Sequence, residues 1–324
     1  MASYLVTGAA GFIAYRVCDM LLKDGHKVVG IDNFCPDYDL AMKHWRLGRL
    51  RKFEDFEFHE GNISDYDQLN DVLNNRALDA VINLAARAGV RASVEDPWDF
   101  VATNIVGTVN LLEYCRHHGI KKFVTASSSS CYNADAPFPT PETADSTRPL
   151  QPYAASKIGS EAMAHSYHFL YGIDITIFRY FTVYSPGARP NQAMFRFVQW
   201  ISEGKPLTLF GTGEQTRGFT HLDDIARGTI AGLKPVGFEL INLGGHEVIS
   251  INGLIKMMEE KIGKKAKIVR KDANKADMMT NHANISKAKA LLGWEPQVSL
   301  SDGVQELIDW YNQERDWASQ VKTL

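Results

Sequence analysis

The stretch Tyr4-Leu5-Val6-Thr7-Gly8-Ala9-Ala10-Gly11-Phe12-Ile13-Ala14 leaves this chain few ways to begin folding. A short apolar run meets two glycines. Residues 11–23 then carry Phe12, Ile13, Val17, Met20 and Leu21 at helical spacing and stop at Asp24-Gly25. A second apolar run, His26 to Ile31, ends on Asp32. Strand, glycine turn, helix, strand and acid make a βαβ unit with a parallel sheet. Glycines at such a turn let the backbone approach a pyrophosphate, and the helix N-terminus favours its charge. The spacing is GxxGxxA rather than GxGxxG, with Ala14 as the third small residue. Asp32 stands about 20 residues beyond the glycines, where it would accept from a ribose hydroxyl. An acid there with no adjacent arginine favours NAD over NADP.

The alternation continues. Phe56 to His59 reads as a strand, Gly61-Asn62-Ile63-Ser64-Asp65 leads into a helix to about Asn75, and Ala80 to Ala85 is the next strand. A helix over about 99–117 ends at Gly119, Phe123 to Ser127 is a strand, and the Pro- and Thr-rich residues 133–152 form a loop. A helix from Tyr153 to about Tyr171 stops at Gly172, and Ile173 to Tyr180 is a β-branched strand. This is the pattern of an α/β fold with a Rossmann-type doubly wound parallel sheet. Beyond Tyr180 it breaks into Gly- and Pro-punctuated runs over 183–220, one more strand at Phe238 to Leu243, helices at 250–262 and 300–315, and a basic β-like run at 264–271. The reading is a dinucleotide-binding domain over 1–180, with 221–243 returning to it. A smaller C-terminal α/β substrate domain takes 181–220 and 244–324.

A formal net charge of −3 with no long basic run argues against nucleic acid or an anionic membrane as a partner, so an anionic ligand needs a local site. The cysteines Cys18, Cys35, Cys115 and Cys131 show neither CxxC spacing nor a histidine at metal-ligand spacing. No metal, no disulfide and a cytoplasmic setting are expected. The start of the chain runs directly into an apolar strand, and no apolar run reaches transmembrane length.

A second constellation carries the chemistry. Tyr153 and Lys157 lie four apart, on one helical face and one turn apart. An ammonium near a phenol favours the phenolate, which then serves as a general base. On its own such a pair is common on helix surfaces, and a serine run such as Ser127 to Ser130 is common in loops. Here the run follows a strand, at the sheet edge where ligands of open α/β sheets bind.

With these residues together, the chain resembles the extended short-chain dehydrogenase/reductase family almost from end to end. The likeness rests on residues 7–14, Asp32-Asn33, Leu84-Ala85-Ala86, Asn104-Ile105-Val106-Gly107-Thr108, the serines before Tyr132, Tyr153-x3-Lys157, residues 213–225 and Leu292-Gly293-Trp294-Glu295-Pro296. The resemblance implies Ser128, Tyr153 and Lys157 as the catalytic trio. It implies NAD held by Gly8, Gly11, Phe12, Ile13, Asp32, Asn33, Asn62, Ile63, Leu84, Ala85, Ala86, Asn104, Tyr153, Lys157 and Tyr180. It implies a UDP-sugar substrate and a homodimer formed through the helices at about 99–117 and 153–171, although burial within one chain explains their apolar faces equally well.

Within the family, Asp32-Asn33-Phe34, Ala88-Gly89-Val90-Arg91, Ser127 to Ser130, residues 179–184, Ala188-Arg189-Pro190 and 282–286 resemble the UDP-glucuronate 4-epimerases. Ser127, Ser128, Ser129 and Thr182 would offer hydroxyls to a sugar carboxylate, Arg189 would approach that end or the diphosphate, and Arg217 would clamp the diphosphate. By the same resemblance Arg91 would be a substrate contact or a structural cation, and Asp277 would be a further substrate contact. The chain departs from the family at Ala14, Asn62, Asn83, Asn133, Ser185, Gly218 and 274–276, where Arg270 or Lys271 would stand in for a missing arginine. Ser129 and Ser130 occupy the positions at which dehydratases and decarboxylases of the family carry acids. Epimerisation of a neutral UDP-sugar stays open as the main alternative, with dehydration, decarboxylation and a non-catalytic NAD sensor behind it.

Overall fold

A computed structural model of the chain describes residues 1–73, 76–245, 247–272 and 279–323. The opening stretch folds as β1 (Ser3–Thr7), α1 (Phe12–Lys23) and β2 (Lys27–Asp32), with the two strands parallel and Tyr4 beside Val28. Then come α2 (Ala41–Leu50), β3 (Phe56–Glu60), α3 (Tyr66–Leu73) and β4 (Ala80–Asn83). Strands β2 and β4 bury nearly every residue because both faces of a parallel sheet are covered by helices, whereas β3 leaves Glu57 and Glu60 exposed.

The segment expected as one helix over 99–117 is more broken. After a separate α4 (Val90–Glu95), it runs through α5 (Pro97–Val101), one π turn (Ala102–Val106) and α6 (Gly107–His118). Asp96 caps α5 through the amide of Asp99, and Pro97 takes the first-turn position that needs no donor. Gly107 lets the helix sit against Ile63: a Cβ there would lie 2.6 Å from Ile63 Cδ1. Gly119, with φ +67°, ends α6 in the left-handed conformation. Next are β5 (Lys122–Ser128), a 3₁₀ turn (Ser129–Cys131), a long loop, α7 (Pro152–Tyr171) and β6 (Asp174–Tyr180).

After β6 follow β7 (Thr182–Tyr184), α8 (Ala193–Ser202), β8 (Pro206–Phe210), β9 (Thr216–His221), α9 (Leu222–Ala231) and β10 (Phe238–Leu243). The remainder is β11 (Val248–Ser250), α10 (Ile251–Ile262), β12 (Lys267–Lys271), β13 (Thr280–Asn281), α11 (Ser286–Leu292), α12 (Leu300–Gln313) and α13 (Arg315–Ala318). The large sheet has seven parallel strands in the order β10-β6-β5-β4-β1-β2-β3. β10 thus returns from far along the chain to pair with β6, Leu243 beside Tyr180. A small sheet is built on β9, with β7 and β13 parallel to it and β11 antiparallel, while β8 pairs with β12.

Two apolar layers hold the large sheet. Leu111, Leu112 and Tyr114 of α6 and Ala164 of α7 pack on Leu5, Val81 and Phe123. On the other face α1 packs against α2 and α9, and that layer continues into the smaller part through Phe195, Val198, Leu254, Leu307 and Trp310. Helix α8 carries its apolar residues Met194, Phe195, Phe197, Val198 and Ile201 into the core of the smaller part. Even Gln199 is fully buried, its amide donating to the carbonyls of Ala318 and Val321. Among the described residues, no helix is long and apolar enough to cross a membrane.

Candidate functional site

The strand order reverses direction between β1 and β4, and a crevice must open above the carboxyl ends of these strands. A cavity of about 420 Å³ lies there. Its walls include Gly8, Gly11, Phe12, Ile13, Asp32, Asn33, Asn62, Ile63, Leu84, Ala85, Ala86, Ser127, Ser128, Ser129, Tyr153, Lys157, Tyr180, Thr182 and Arg189. The topology therefore gathers side chains from across some 180 residues of sequence into one chamber.

The half of the chamber over β1 and β2 suits a dinucleotide. Gly8 has φ +70°, and a Cβ on it would sit 2.9 Å from Ala85 Cα, so only glycine allows the turns after β1 and β4 to close together. Gly11 leads into α1 with no side-chain cap, and the first intrahelical bond is Tyr15 N–H to Gly11 O at 3.1 Å. The first-turn amides of α1 are thus left to face the chamber, which is what a pyrophosphate needs. Asn62 uses its amide oxygen to accept from Ser64 N–H (3.1 Å) and retains a lone pair for a further donor. Tyr180 borders the chamber from the end of β6, beside Ser128 and away from β1 and β2, its hydroxyl being 2.8 Å from Thr229 Oγ1.

A buried polar chain braces this half. Thr7 Oγ1 donates to Asn83 Oδ1 (2.7 Å) and accepts from the amides of Leu84 (3.2 Å) and Ala85 (3.1 Å). Asn83 Nδ2 reaches Thr108 (3.1 Å) and Thr125 (3.4 Å). Asn83, a departure from the family, thereby ties β1, β4, β5 and α6 together beneath the floor. Asn104 is also a brace: it lies outside the cavity wall, in the π turn, accepting from Arg87 N–H (2.9 Å) and donating to Arg87 O (3.1 Å) and Ser156 Oγ (2.8 Å).

The other half contains the Tyr–Lys pair. Pro152 opens α7, which puts Tyr153 at the mouth of the helix and Lys157 one turn deeper. Tyr153 is hydrogen-bonded to Ser128 and has the Arg189 guanidinium within electrostatic reach. Phe100 meets its ring edge-on at 6.0 Å between centroids. The electrostatics differ from the simple expectation of a lowered phenol. Burial pushes the Tyr153 phenol above its ordinary value, and the Ser128 hydrogen bond and Arg189 only partly offset this. The Lys157 ammonium donates to Ala126 O at 2.9 Å, and burial brings it down to about 8 against weaker support from Cys131 and Glu161. In the free protein, desolvation therefore outweighs the pairing of the two groups. The Cys131 thiol beside them is pushed up to about 11 by burial and is no nucleophile.

Ser127 and Ser128 were both expected to offer hydroxyls to substrate, but a strand turns successive side chains to opposite faces. Ser127 Oγ donates to Glu161, whose carboxylate also receives Arg179 Nε (2.9 Å) and Nη2 (2.7 Å). Arg179 in turn lies 4.5 Å from the centre of the Tyr132 ring. Ser127 thus anchors the end of β5, its hydroxyl committed to Glu161. Ser129 Oγ accepts from Asn281 Nδ2 at 3.3 Å, so the smaller part of the chain reaches across the chamber.

The outlying cations are placed elsewhere. Arg91 lies outside the wall, its guanidinium 5.0 Å from the centre of the Phe210 ring on β8. Arg217 also stands outside it and donates to Thr216 O at 2.7 Å. Arg270 Nη1 donates to Thr212 O at 2.8 Å. Asp277 and residues 274–276 fall outside the described residues. Sequence spacing missed Lys43, Arg87 and Gln192, all in the wall. Arg87 pairs with Asp37 and with Asp99 (2.5 Å), and Lys43 pairs with Asp32 (3.0 Å). Lys43 and Arg87 were invisible as partners because helix α2 and the turn after β4 bring them in from outside the motifs.

The family described as "NAD dependent epimerase/dehydratase family" matches residues 4–244. A UDP-glucuronate 4-epimerase of Thermodesulfobacterium geofontis is 49% identical over 323 residues, covering 99% of this chain and 100% of that protein. The crystal structure of UDP-glucuronic acid 4-epimerase from Bacillus cereus, in complex with UDP-glucuronic acid and NAD, superposes with a TM-score of 0.90 at 40% identity over 96% of this chain and 99% of that one. The UDP-glucose 4-epimerase of Thermotoga maritima, crystallised with UDP-glucose, gives a TM-score of 0.89 at 30% identity over 97% and 99% of the two chains.

Proposed function

The chain belongs to the NAD dependent epimerase/dehydratase family, and from that premise we propose that it inverts C4 of UDP-glucuronate to give UDP-galacturonate, with NAD as cofactor. The observation that carries the reading is the group around Tyr153: Ser128, Ser129, Thr182 and Arg189 share one chamber wall with it. When bound, NAD supplies the acceptor, and later the donor, of the C4 hydride. The protein's part is proton transfer and placement. Tyr153 Oη takes the proton of the sugar's 4-hydroxyl as that oxygen becomes a carbonyl, and returns it when C4 is reduced from its other face. Ser128 shares the same oxygen by hydrogen bonding. Lys157 supplies the positive charge that makes the phenolate affordable once a ligand fills the chamber.

A 4-keto uronate loses its C5 proton or CO₂ easily, so an epimerase must keep bases away from C5. Among the described wall residues the carboxylates are Asp32 and Asp37, and both are held by cations, Lys43 and Arg87. The serines at 129 and 130 add no base. Arg189 and the hydroxyls of Ser129 and Thr182 are the groups available to hold the carboxylate still. Incubating the purified protein with UDP-glucuronate and, separately, UDP-glucose, and reading the products by NMR, tests the reading. UDP-galacturonate is the expected product, and equal or faster turnover of UDP-glucose would overturn it.

The two-part division proposed for the chain is supported by β10 joining the large sheet while β7 to β9 and β11 to β13 do not. A homodimer is supported by apolar side chains left in solvent along α5, the π turn and the end of α7: Trp98, Val101, Val106, Phe169, Leu170 and Tyr171. Sedimentation equilibrium at micromolar protein should give twice the chain mass, and a monomer would remove the proposal. The four unpaired thiols favour a cytoplasmic setting.

A further inference from the structure

Helix α7 carries a third buried ionisable side chain beyond the Tyr–Lys pair. Tyr153, Lys157 and Glu161 are spaced four apart, so they follow one face of α7, each about one turn further along. Lys157 is 5% exposed and Glu161 9%. The Glu161 carboxylate gathers two strands. Oε1 accepts from Ser127 Oγ on β5 and from Arg179 Nε on β6 at 2.9 Å, while Oε2 accepts from Arg179 Nη2 at 2.7 Å. Ser127 and Arg179 are register partners, and the next pair along is Ser128 with Tyr180. The helix that bears Tyr153 is thus pinned to the strand end that bears Ser128. Arg179 and Glu161 neutralise each other, which leaves the group with the positive charge of Lys157. The anion that completes it is the Tyr153 phenolate formed during the reaction.

We infer that Glu161 is a positioning residue of this site: it fixes Ser128 against Tyr153 through Ser127, and it is the standing counter-charge of the Lys157 ammonium. This rests on the proposed function only in taking Tyr153 as the base that removes a sugar hydroxyl proton. Two acidic groups act on Lys157, Cys131 and Glu161. Burial pushes the Cys131 thiol up to about 11, so near neutral pH it carries no charge. Glu161, held by both arms of the Arg179 guanidinium, is the anion present. The other elements around Lys157 add no competing acid. β5 presents the Ala126 carbonyl and the hydroxyls of Ser127 and Ser128, and Arg179 of β6 is spent on Glu161. Arg189, from the smaller part, acts on the Tyr153 phenol. On the far side of α7, α5 and the π turn bring Phe100, Asn104 and Ile105, none of which titrates.

The test reads kcat and KM of the full-length, NAD-loaded protein across pH, on whichever UDP-sugar the wild type turns over. Glu161→Gln keeps the shape and removes the charge. Its kcat at neutral pH should fall about tenfold or more, the worth of a hydrogen bond to a charged group, while KM stays near the wild-type value. The alkaline limb of its kcat profile should move down by about one pH unit, because a buried ammonium without its counter-charge loses its proton sooner. Ser127→Ala removes only the tie to β5 and should lower kcat about three- to tenfold with the limb in place. Glu161→Gln leaves Arg179 without its anion. If that variant does not fold, Glu161→Gln/Arg179→Met removes the buried pair as a unit, and its limb should move the same way. An unmoved limb in the charge-removing variant, or an unchanged kcat, overturns the inference, since a purely structural role lowers the yield of folded protein without moving the limb. Preference for UDP-glucose would overturn the proposed substrate and leave this inference standing on the measured profiles. A wild type that turns over neither sugar overturns both.

Discussion

Tyr153→Phe should abolish turnover, lowering kcat by about 10²–10⁴-fold, the usual worth of a positioned acid–base group. The substitution removes one oxygen from a ring that Phe100 already supports, so the helix start and the cavity wall should persist. Sugar affinity and nucleotide retention are expected to change little, because the phenol is asked to act on a proton rather than to anchor a ligand. The combination to look for is a collapsed kcat with intact binding and an unchanged circular dichroism spectrum. A variant that turns over at the wild-type rate would take Tyr153 out of the mechanism and send attention to Ser128. The geometry also shows why the phenol is not pre-ionised. Burial holds it above its ordinary value in the free protein, so ionisation must come with the charges that substrate and cofactor bring.

The second large effect runs in two directions. Lys157→Met should inactivate the enzyme and also make the nucleotide-free protein more stable near neutral pH. The buried ammonium donates to the carbonyl of Ala126, and burial lowers it from 10.5 to about 8. That difference is a stability cost of about 3 kcal/mol wherever the lysine is charged in both states. Methionine fills similar space without the charge. Leaving the carbonyl without its donor returns about 1 kcal/mol, so a net gain of roughly 2 kcal/mol is expected. The sign with pH follows from proton counts. Between about 8 and 10.5 the unfolded chain holds more protons at this site than the folded one, so wild-type stability rises through that window. The advantage of the variant should be full below pH 8 and gone near 10.5. Urea unfolding of both proteins at neutral and alkaline pH measures it. A variant less stable than wild type at pH 7 would contradict the account.

Much of this architecture is legible in the chain because its periodicities are strong. β1, α1 and β2 follow from alternating runs and glycines, and Gly119 and Gly172 end α6 and α7 as their left-handed φ values of 67° and 65° require. Side-chain direction was harder to read. Ser127 and Ser128 are equivalent by composition, and only the strand's alternation sends one to Glu161 and the other to Tyr153. Asn104 has the right neighbours for a ligand contact, but the π turn spends its amide on Arg87 and Ser156. Lys43 escaped because its meaning depends on a partner eleven residues away, reached only after α2 folds back over the strand ends.

The return of β10 to the large sheet bears on how the protein is made. During synthesis, β6 leaves the ribosome well before Phe238–Leu243, with the smaller part's first strands and α8 in between. Until that late segment arrives, the outer flank of β6 is an unpaired, largely buried-type strand of the kind that recruits other chains. A nascent or truncated chain ending before residue 238 therefore carries a sticky border that the finished protein has closed, and the cell must shield it for the time the ribosome takes to supply the last strand.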